Sequence, residues 1–296
     1  MFRNIIVKIQ NNTTNIKFYH QTRRLTQTSA TGKVTAAVEQ QPQPDDNYEL
    51  QKEHIEAAIK ATPILANVSP QMWQKAHETF LNHGINTNSF LQIVTGNPKV
   101  LMRSPRKIID TLEHWRSCQF GEYFLFLLIT KYPFLMDVDD KRRLLKQISF
   151  LQSYVSTSKN VWKLLMNCPT LIEQTETAIE EKILYMKETM RIEIPEIVKS
   201  EALGKSLDDI KCRHIFLERL GLFKPRPLKA DPNEPSKNPR LYKITDTSEK
   251  TFATKVCHVS LAEYEAFKEL YVRELERIRK EEEDEDEDDL LSDEEK

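Results

Sequence analysis

The chain contains few of the features that enzymes and metalloproteins use. It has only six glycines and four cysteines in 296 residues, and the cysteines lie far apart with no CxxC spacing. This spacing indicates neither a zinc site nor a disulfide framework. The chain also lacks a phosphate-binding loop, a GxGxxG fingerprint, an HExxH sequence and a nucleophile elbow. We therefore expect no enzymatic activity, no catalytic residue, no cofactor and no metal.

Long apolar runs are also scarce. The densest extends from Phe124 to Ile129, far short of the roughly 18 residues that a membrane-spanning helix needs. Hydrophobic residues make up 39% of the chain and charged residues 30%, and strand signals are few. This composition predicts a soluble, helix-rich protein with a substantial core.

A unit of about 35 residues repeats along the chain. It is centred on Pro63, Pro98, Pro133 and Pro169, at intervals of 35, 35 and 36 residues, with a degenerate copy around Ser200. Apolar residues four and eight positions before each proline fall on one helical face. Because proline lacks an N–H and clashes with the preceding turn, a first helix should end at each of these positions. A fixed period of this kind predicts a repeat array.

A second helix follows each proline. Six residues after the proline or Ser200 stand side chains that can cap a helix start, namely Ser69, Ser104, Asp139, Thr175 and Ser206. Eleven residues further on stand candidate core residues, namely Phe80, Trp115, Phe150, Met186 and Leu217. Gly84 and Gly221 are placed to end the second helices of the first and last copies. The acids Asp137, Asp139 and Asp140 resemble a metal cluster in outline, but capping explains them better because they straddle a helix start.

The residues at these repeated positions resemble those of the mitochondrial transcription termination factor (mTERF) family. The likeness is strongest in IVKSEALGKSLDDIKCRHIFLERLG, from Ile197 to Gly221. The resemblance implies an all-α fold, a right-handed-type α-solenoid of about five mTERF repeats, in residues 46–221. It implies that a basic side of the solenoid binds double-stranded nucleic acid. For the branch that is most similar, it implies binding of mitochondrial ribosomal RNA and a heterodimer with an RNA 5-cytosine methyltransferase of the Sun-domain class, in assembly of the large mitoribosomal subunit. Membrane association is not expected.

The ends of the chain differ in charge. Residues 1–45 form a predicted mitochondrial transit peptide and leader, with six cations and no acid before residue 39, which favours the mitochondrial matrix. Residues 281–296 hold twelve acids and one lysine and are predicted to be a disordered tail, which could mimic nucleic acid or simply aid solubility. Once the +6 of the leader and the −11 of the tail are removed from the net charge of −2, residues 39–280 carry only about +3.

Basic residues nevertheless recur at one position. Thirteen residues after the proline or Ser200 stand Ala76, Thr111, Lys146, Lys182 and Arg213, with further cations nearby. The resemblance carries over only Arg213, which matches the arginine of the family's IxxRxxFL pattern. We hypothesise that these cations form a continuous basic surface, here named the track, that binds a phosphate backbone. An ordinary solvated helix face explains the pattern equally well. The predicted nucleic-acid contacts are Arg103, Arg106, Lys107, Arg142, Arg143, Lys146, Lys182 and Arg213.

A helical module is predicted after a proline-rich linker. The linker covers residues 222–239 and the module residues 240–280, opened by a capping box at Ser260 and Glu263. The module either caps the solenoid's end or docks the methyltransferase, and the candidate docking residues are Tyr264, Phe267, Leu270 and Tyr271. Three alternatives to the adaptor function remain open: a regulator of transcription that binds duplex DNA, a pentatricopeptide-like reader of single-stranded RNA, and a scaffold that binds only protein.

Overall fold

A helix that ends at a proline, followed by a second helix that begins at a side-chain cap, makes up each repeat. A computed structural model of the protein describes residues 50–227 and 237–293, and every regular element in those two ranges is helical. The predicted leader, residues 1–45, lies outside the described residues. The all-α prediction is confirmed.

The helices alternate between two layers. The first helices of the repeats are α1 (Lys52–Ala61), α3 (Thr87–Gly96), α5 (Glu122–Lys131), α7 (Ser158–Asn167) and the short α9 (Ile194–Ile197). The second helices are α2 (Pro70–Asn82), α4 (Pro105–Arg116), α6 (Lys141–Val155), α8 (Glu176–Leu184) and α10 (Leu207–Arg219). In the first layer α1, α3, α5 and α7 pack in chain order, and in the second layer α4 lies between α2 and α6.

The four prolines lie at equivalent corners, as predicted. Each one opens a short 3-10 helix, and these are Pro63–Asn67, Pro98–Met102, Pro133–Asp137 and Pro169–Ile172. The residue before each proline leaves the helical region, with φ between −128° and −139°, as the proline ring requires. In the fifth copy, where Ser200 replaces proline, the 3-10 helix Ala202–Gly204 follows instead.

The predicted caps are confirmed in four repeats and wrong in one. The side chains of Ser69, Ser104, Thr175 and Ser206 each accept a hydrogen bond from a backbone N–H of the first turn. In the third repeat the cap is Asp140, which accepts from two N–H groups, and not Asp139. The reason is one additional residue between proline and cap in this repeat, which also accounts for the interval of 36.

This additional residue shifts every later position of the third repeat by one. The core residue eleven positions after the cap is therefore Leu151, which is fully buried, and not Phe150, which is only partly buried. Its equivalents in the other repeats are fully buried, and they are Phe80, Trp115, Met186 and Leu217.

The corner of one repeat packs closely on the first helix of the preceding repeat. A Cβ atom added to Gly96 would lie 2.7 Å from Cγ of Pro133, nearer than side chains approach. We expect Gly96→Ala to lower the free energy of unfolding by about 1–3 kcal/mol, since the proline corner must move, measured by urea denaturation. Gly204→Ala is the control, because its Cβ would meet Cys168 at an ordinary 3.5 Å. A loss of stability only in the control would contradict this packing.

Beyond the repeats the described residues form three further helices. They are α11 (Leu241–Thr245), α12 (Glu249–Thr251), which continues as a π-helix over Phe252–Cys257, and α13 (Leu261–Asp293). The capping box is confirmed, since Ser260 Oγ accepts from the Glu263 N–H and the Glu263 carboxylate accepts from the Ser260 N–H. The described parts of the predicted linker, residues 222–227 and 237–239, contain no helix.

The prediction of disorder from residue 281 onward is wrong for the described part of that segment. Helix α13 continues to Asp293. Adding residues to an existing helix costs far less than starting one, glutamate is a good helix former, and Arg277 pairs with Glu281 one turn later at 3.5 Å. No helix among the described residues has both the length and the apolar composition needed to cross a bilayer.

Candidate nucleic-acid interface

The predicted track was based on one repeated position of the second helices, here named the column, and this position is buried. Counted from the true caps, the seventh residue of each second helix is Ala76, Thr111, Gln147, Lys182 and Arg213, with exposed fractions of 3%, 1%, 6%, 7% and 4%. Gln147 replaces Lys146 in this column because of the additional residue in the third repeat. The column therefore points into the solenoid and not toward a ligand.

Two polar members of the column, Gln147 and Lys182, bind backbone carbonyls of the next repeat. Gln147 Nε2 donates to the carbonyl oxygen of Leu171 at 2.7 Å. Lys182 Nζ donates to the carbonyl oxygen of Leu203 at 3.2 Å. Each acceptor belongs to the 3-10 helix at the next corner, where a buried carbonyl without a donor would be costly. These side chains join consecutive repeats.

Lys182 makes its contacts with neutral groups. Its ammonium also donates to Gln174 Oε1 at 2.7 Å, and no ion pair to it is present among the described residues. Burial lowers the pKa of Lys182 below its usual value. The prediction that Lys182 contacts nucleic acid is wrong, because the side chain is enclosed by the fourth and fifth repeats.

Arg213 joins the last repeat to the C-terminal module. Its guanidinium donates to the carbonyl oxygens of Ile244 at 2.7 Å and Thr247 at 3.0 Å. It also bonds to Asp209 at 3.4 Å and lies over the ring of Phe252, 5.0 Å from its centroid. The prediction that Arg213 contacts nucleic acid is therefore wrong, because every side of the guanidinium faces the protein interior.

Arg103 joins the second repeat to the third. Its side chain is 11% exposed and donates to the Met136 carbonyl, to the Asp139 carboxylate and to Thr111 Oγ1. Asp137 is a second anionic partner at 3.8 Å. Arg103 is therefore also wrongly assigned to nucleic acid, and the acids that resembled a metal cluster pair with this arginine or cap α6. Across the described residues no group of acids, histidines and cysteines is arranged to hold a metal ion.

The remaining predicted cations share one edge of the protein. Arg103 and Asp139 each stand next to a cap, Ser104 or Asp140, so their ion pair holds the N-termini of α4 and α6 side by side. The first turns of these two helices carry five exposed cations, here named the cation edge, which are Arg106, Lys107, Lys141, Arg142 and Arg143.

The electrostatics of this edge favour an anionic ligand. None of its five cations forms an ion pair with another described residue. The partial positive charge of the two helix N-termini adds to theirs. Lys146, one turn further along α6, is 75% exposed but pairs with Glu176 at 3.0 Å. Beyond it the sign changes, because the first turns of α8 and α10 carry Glu176, Asp208 and Asp209.

A protein-family model matches most of the chain. The mTERF model matches residues 13–247, from before the first described helix through α11. The chain belongs to the mTERF family. Proteins of this family are nucleic-acid-binding factors. The chain is also similar to a mouse (Mus musculus) protein, "Transcription termination factor 4, mitochondrial", with 28% identity over 223 residues. The aligned region covers 75% of this chain and 62% of the mouse protein, less than two thirds of that relative's length.

The C-terminal module packs on the last mTERF repeat. Tyr264, Phe267 and Tyr271 are 0%, 8% and 5% exposed, and Phe216 of α10 lies 5.1 Å and 4.6 Å from the rings of Tyr264 and Phe267. These three residues are therefore wrongly assigned to a partner interface, because they close the end of the solenoid. Leu270, on a neighbouring side of α13, is 59% exposed.

The histidine of the last mTERF repeat is packed and not available as a general base. His214 is completely buried, with Nδ1 2.8 Å from the Tyr185 hydroxyl and the ring edge-on to Phe223. Burial lowers the pKa of His214 to about 4. The unfolded chain, in which histidine titrates near 6.5, then binds the proton more readily than the native protein.

This difference predicts a pH-dependent stability. The contribution of His214 is complete above about pH 6.5 and is lost as the pH falls toward 4, for a total of roughly 3 kcal/mol. Urea unfolding between pH 7.5 and 4.5 measures it. We expect His214→Gln to be less stable at pH 7.5 but to lose less stability on acidification than the parent. Equal pH dependence of the two proteins would contradict a neutral, buried histidine.

Proposed function

We propose that this protein is a non-enzymatic adaptor of the mitochondrial matrix that binds double-stranded regions of ribosomal RNA and brings an RNA 5-cytosine methyltransferase to the large mitoribosomal subunit. Family membership supports nucleic-acid binding, and the name of the mouse relative supports a mitochondrial location. The ribosomal and methyltransferase parts of the proposal rest on the resemblance of residues 197–221 described above.

The observation that carries the nucleic-acid part is the cation edge. Five unpaired cations on two adjacent helix N-termini form a compact surface that suits phosphates, and it holds no exposed aromatic side chain for base stacking. Arginine and lysine contacts to phosphate give affinity without sequence selection. A duplex, which presents two phosphate backbones and hides its bases, is the ligand that such a surface accommodates best.

The methyltransferase would dock at the C-terminal end. Of the residues predicted for this dock only Leu270 is exposed, and it lies one turn before Glu274, which Arg219 of α10 contacts at 2.7 Å. Leu220, next to Arg219, is 38% exposed. These leucines provide an apolar centre with a charged border, as small protein interfaces do.

Crosslinking in intact mitochondria, followed by sequencing of bound nucleic acid and identification of co-purified proteins, tests the proposal. We expect ribosomal RNA and a methyltransferase of the Sun-domain class. We expect Leu270→Glu to lose the methyltransferase and keep the RNA, whereas exposed Tyr242, changed to Glu as a matched control, keeps both. Recovery of the RNA without any methyltransferase would refute the adaptor role.

A regulator of transcription that binds duplex DNA is the second candidate. The name of the mouse relative, a transcription termination factor, favours it, and the cation edge would bind a DNA backbone by the same contacts. Crosslinks confined to promoter or terminator DNA, with no ribosomal RNA, would select this function. A scaffold that binds only protein would keep its partners after charge reversal on the cation edge.

A further inference from the structure

A second exposed surface lies on the first-helix layer, at positions that neither the cation edge nor the C-terminal end uses. In α3, α5 and α7 the residues ten and six positions before the corner proline form three adjacent pairs. This first-helix face consists of Asn88 and Gln92, Tyr123 and Leu127, and Lys159 and Lys163. Five of the six side chains are exposed and Leu127 is partly exposed.

The face is free of unpaired negative charge. Helix α3 contains no charged residue, α7 contains only its two lysines, and the one acid of α5, Glu122, pairs with Arg116 at 2.9 Å. Neither Lys159 nor Lys163 forms an ion pair with any described residue. The amides of Asn88 and Gln92 likewise make no hydrogen bond with a described group. The lysines are therefore available to bind anions, and the amides are available to form hydrogen bonds with the edges of bases.

Tyr123 gives this face an aromatic centre. Its side chain is 71% exposed, more than any other large apolar residue whose side chain the structure describes. Its ring is held edge-on to Phe124, with centroids 5.4 Å apart, and Phe124 contacts Trp162 of α7 at 4.8 Å. The Trp162 indole donates to the Phe124 carbonyl at 2.8 Å. One face of a supported ring is thus presented to solvent between an amide pair and a lysine pair.

We propose that the first-helix face binds an unpaired stretch of nucleic acid, with one base stacked on Tyr123, phosphates on Lys159 and Lys163, and base edges near Asn88 and Gln92. An aromatic side chain beside cations is the arrangement that binds single strands, because every base has a face that can stack. Neighbouring helices pack roughly 8–10 Å apart, so three helices suit a few successive nucleotides.

Other occupants fit this face less well. A duplex keeps its bases stacked on each other and could not place one on Tyr123. A second copy of the chain would bring four lysines together with no acid between them. An anionic membrane would find only one exposed aromatic ring, bordered by amides that lose hydrogen bonds to water on burial. The inference is separate from the proposed duplex binding, since it uses different residues and a different ligand.

Polarisation of a labelled single-stranded oligonucleotide and of a labelled blunt-ended RNA duplex, each titrated with the full chain, tests the inference. We expect Tyr123→Ala to weaken single-strand binding about 5- to 100-fold, the usual range for a stacked base, and Tyr123→Phe to retain it within about 2-fold. Lys159→Glu with Lys163→Glu should also weaken it and flatten its salt dependence. Affinity for the duplex should stay unchanged in all three variants.

The controls are surface positions elsewhere in the described chain. Tyr242→Ala removes a tyrosine that is 46% exposed, and Lys250→Glu with Lys255→Glu reverses two exposed lysines of the C-terminal module. Neither should change single-strand affinity. Unchanged single-strand binding by Tyr123→Ala overturns the inference, and so does a loss of binding to anionic phospholipid vesicles without a loss of single-strand binding. A loss of duplex binding alone in the first-helix variants would also overturn the inference, and would assign duplex binding to this face rather than to the cation edge.

Discussion

Reversing two charges on the cation edge, Arg142→Glu with Arg143→Glu, should weaken duplex binding roughly 10- to 100-fold at moderate salt. Each of these arginines is exposed in the first turn of α6 and free of ion pairs with described residues. Each phosphate contact that is lost should also lower the slope of log affinity against log salt by about one. Polarisation titrations over a range of salt concentrations measure both quantities.

A matched variant distinguishes the contribution of this surface to duplex affinity from the effect of net charge on that affinity. Lys250→Glu with Lys255→Glu changes the charge by the same amount on the C-terminal module, and we expect less than about a 3-fold effect, because exposed charges beyond a Debye length are screened. Arg106→Glu with Lys107→Glu should repeat the large effect from α4. Equal losses from the edge variants and the module variant would show that bulk charge, and not this edge, binds the duplex.

Removing the guanidinium of Arg213 should cost about 3–5 kcal/mol of unfolding free energy, the usual result of breaking a buried charged contact. In Arg213→Met the carbonyls of Ile244 and Thr247 lose their donor and Asp209 loses its ion-pair partner. Urea denaturation measures the loss. Limited proteolysis should show that the C-terminal module becomes accessible first, since Arg213 holds it to the last repeat.

An exposed arginine nearby provides the comparison. Arg219 is 49% exposed and pairs with Glu274 on the surface, and we expect Arg219→Met to cost less than about 1 kcal/mol. The two hypotheses for Arg213 also differ in binding. If it only supports the fold, Arg213→Lys should lose stability while its folded fraction binds duplex as tightly as the parent. A large loss of affinity without a loss of stability would restore Arg213 as a nucleic-acid contact.

Much of the fold followed from local sequence chemistry. Proline ends a helix because of its own ring, and a serine or threonine caps a helix through its own hydroxyl, so the corners at Pro63 and Pro98 and the caps at Ser69 and Ser104 were predictable. The error at Asp139 came from counting outward from the proline. Asp139 and Asp140 are adjacent acids, and only the helix start itself distinguishes the cap from its neighbour.

The functional residues were harder to predict, although one signal was present. Ala76 and Thr111 occupy the same column as Lys182 and Arg213, and a column that holds small residues in two repeats is typical of an interior position. Their burial identifies the cations of this column as interior groups. The burial of the C-terminal aromatic residues was equally hard to predict from the sequence. An apolar face such as that of Tyr264 and Phe267 can pack against its own chain or against a partner.

The sequence by itself determined the helical repeats, their corners, most of their caps and the family, because each depends on the conformational preferences of a few neighbouring residues. Only the tertiary structure decided which cations meet solvent and which bind a carbonyl of the next repeat. That outcome depends on where the end of a long side chain reaches, and a side chain such as that of Arg213 finds its partners about 30 residues away, at Ile244 and Thr247.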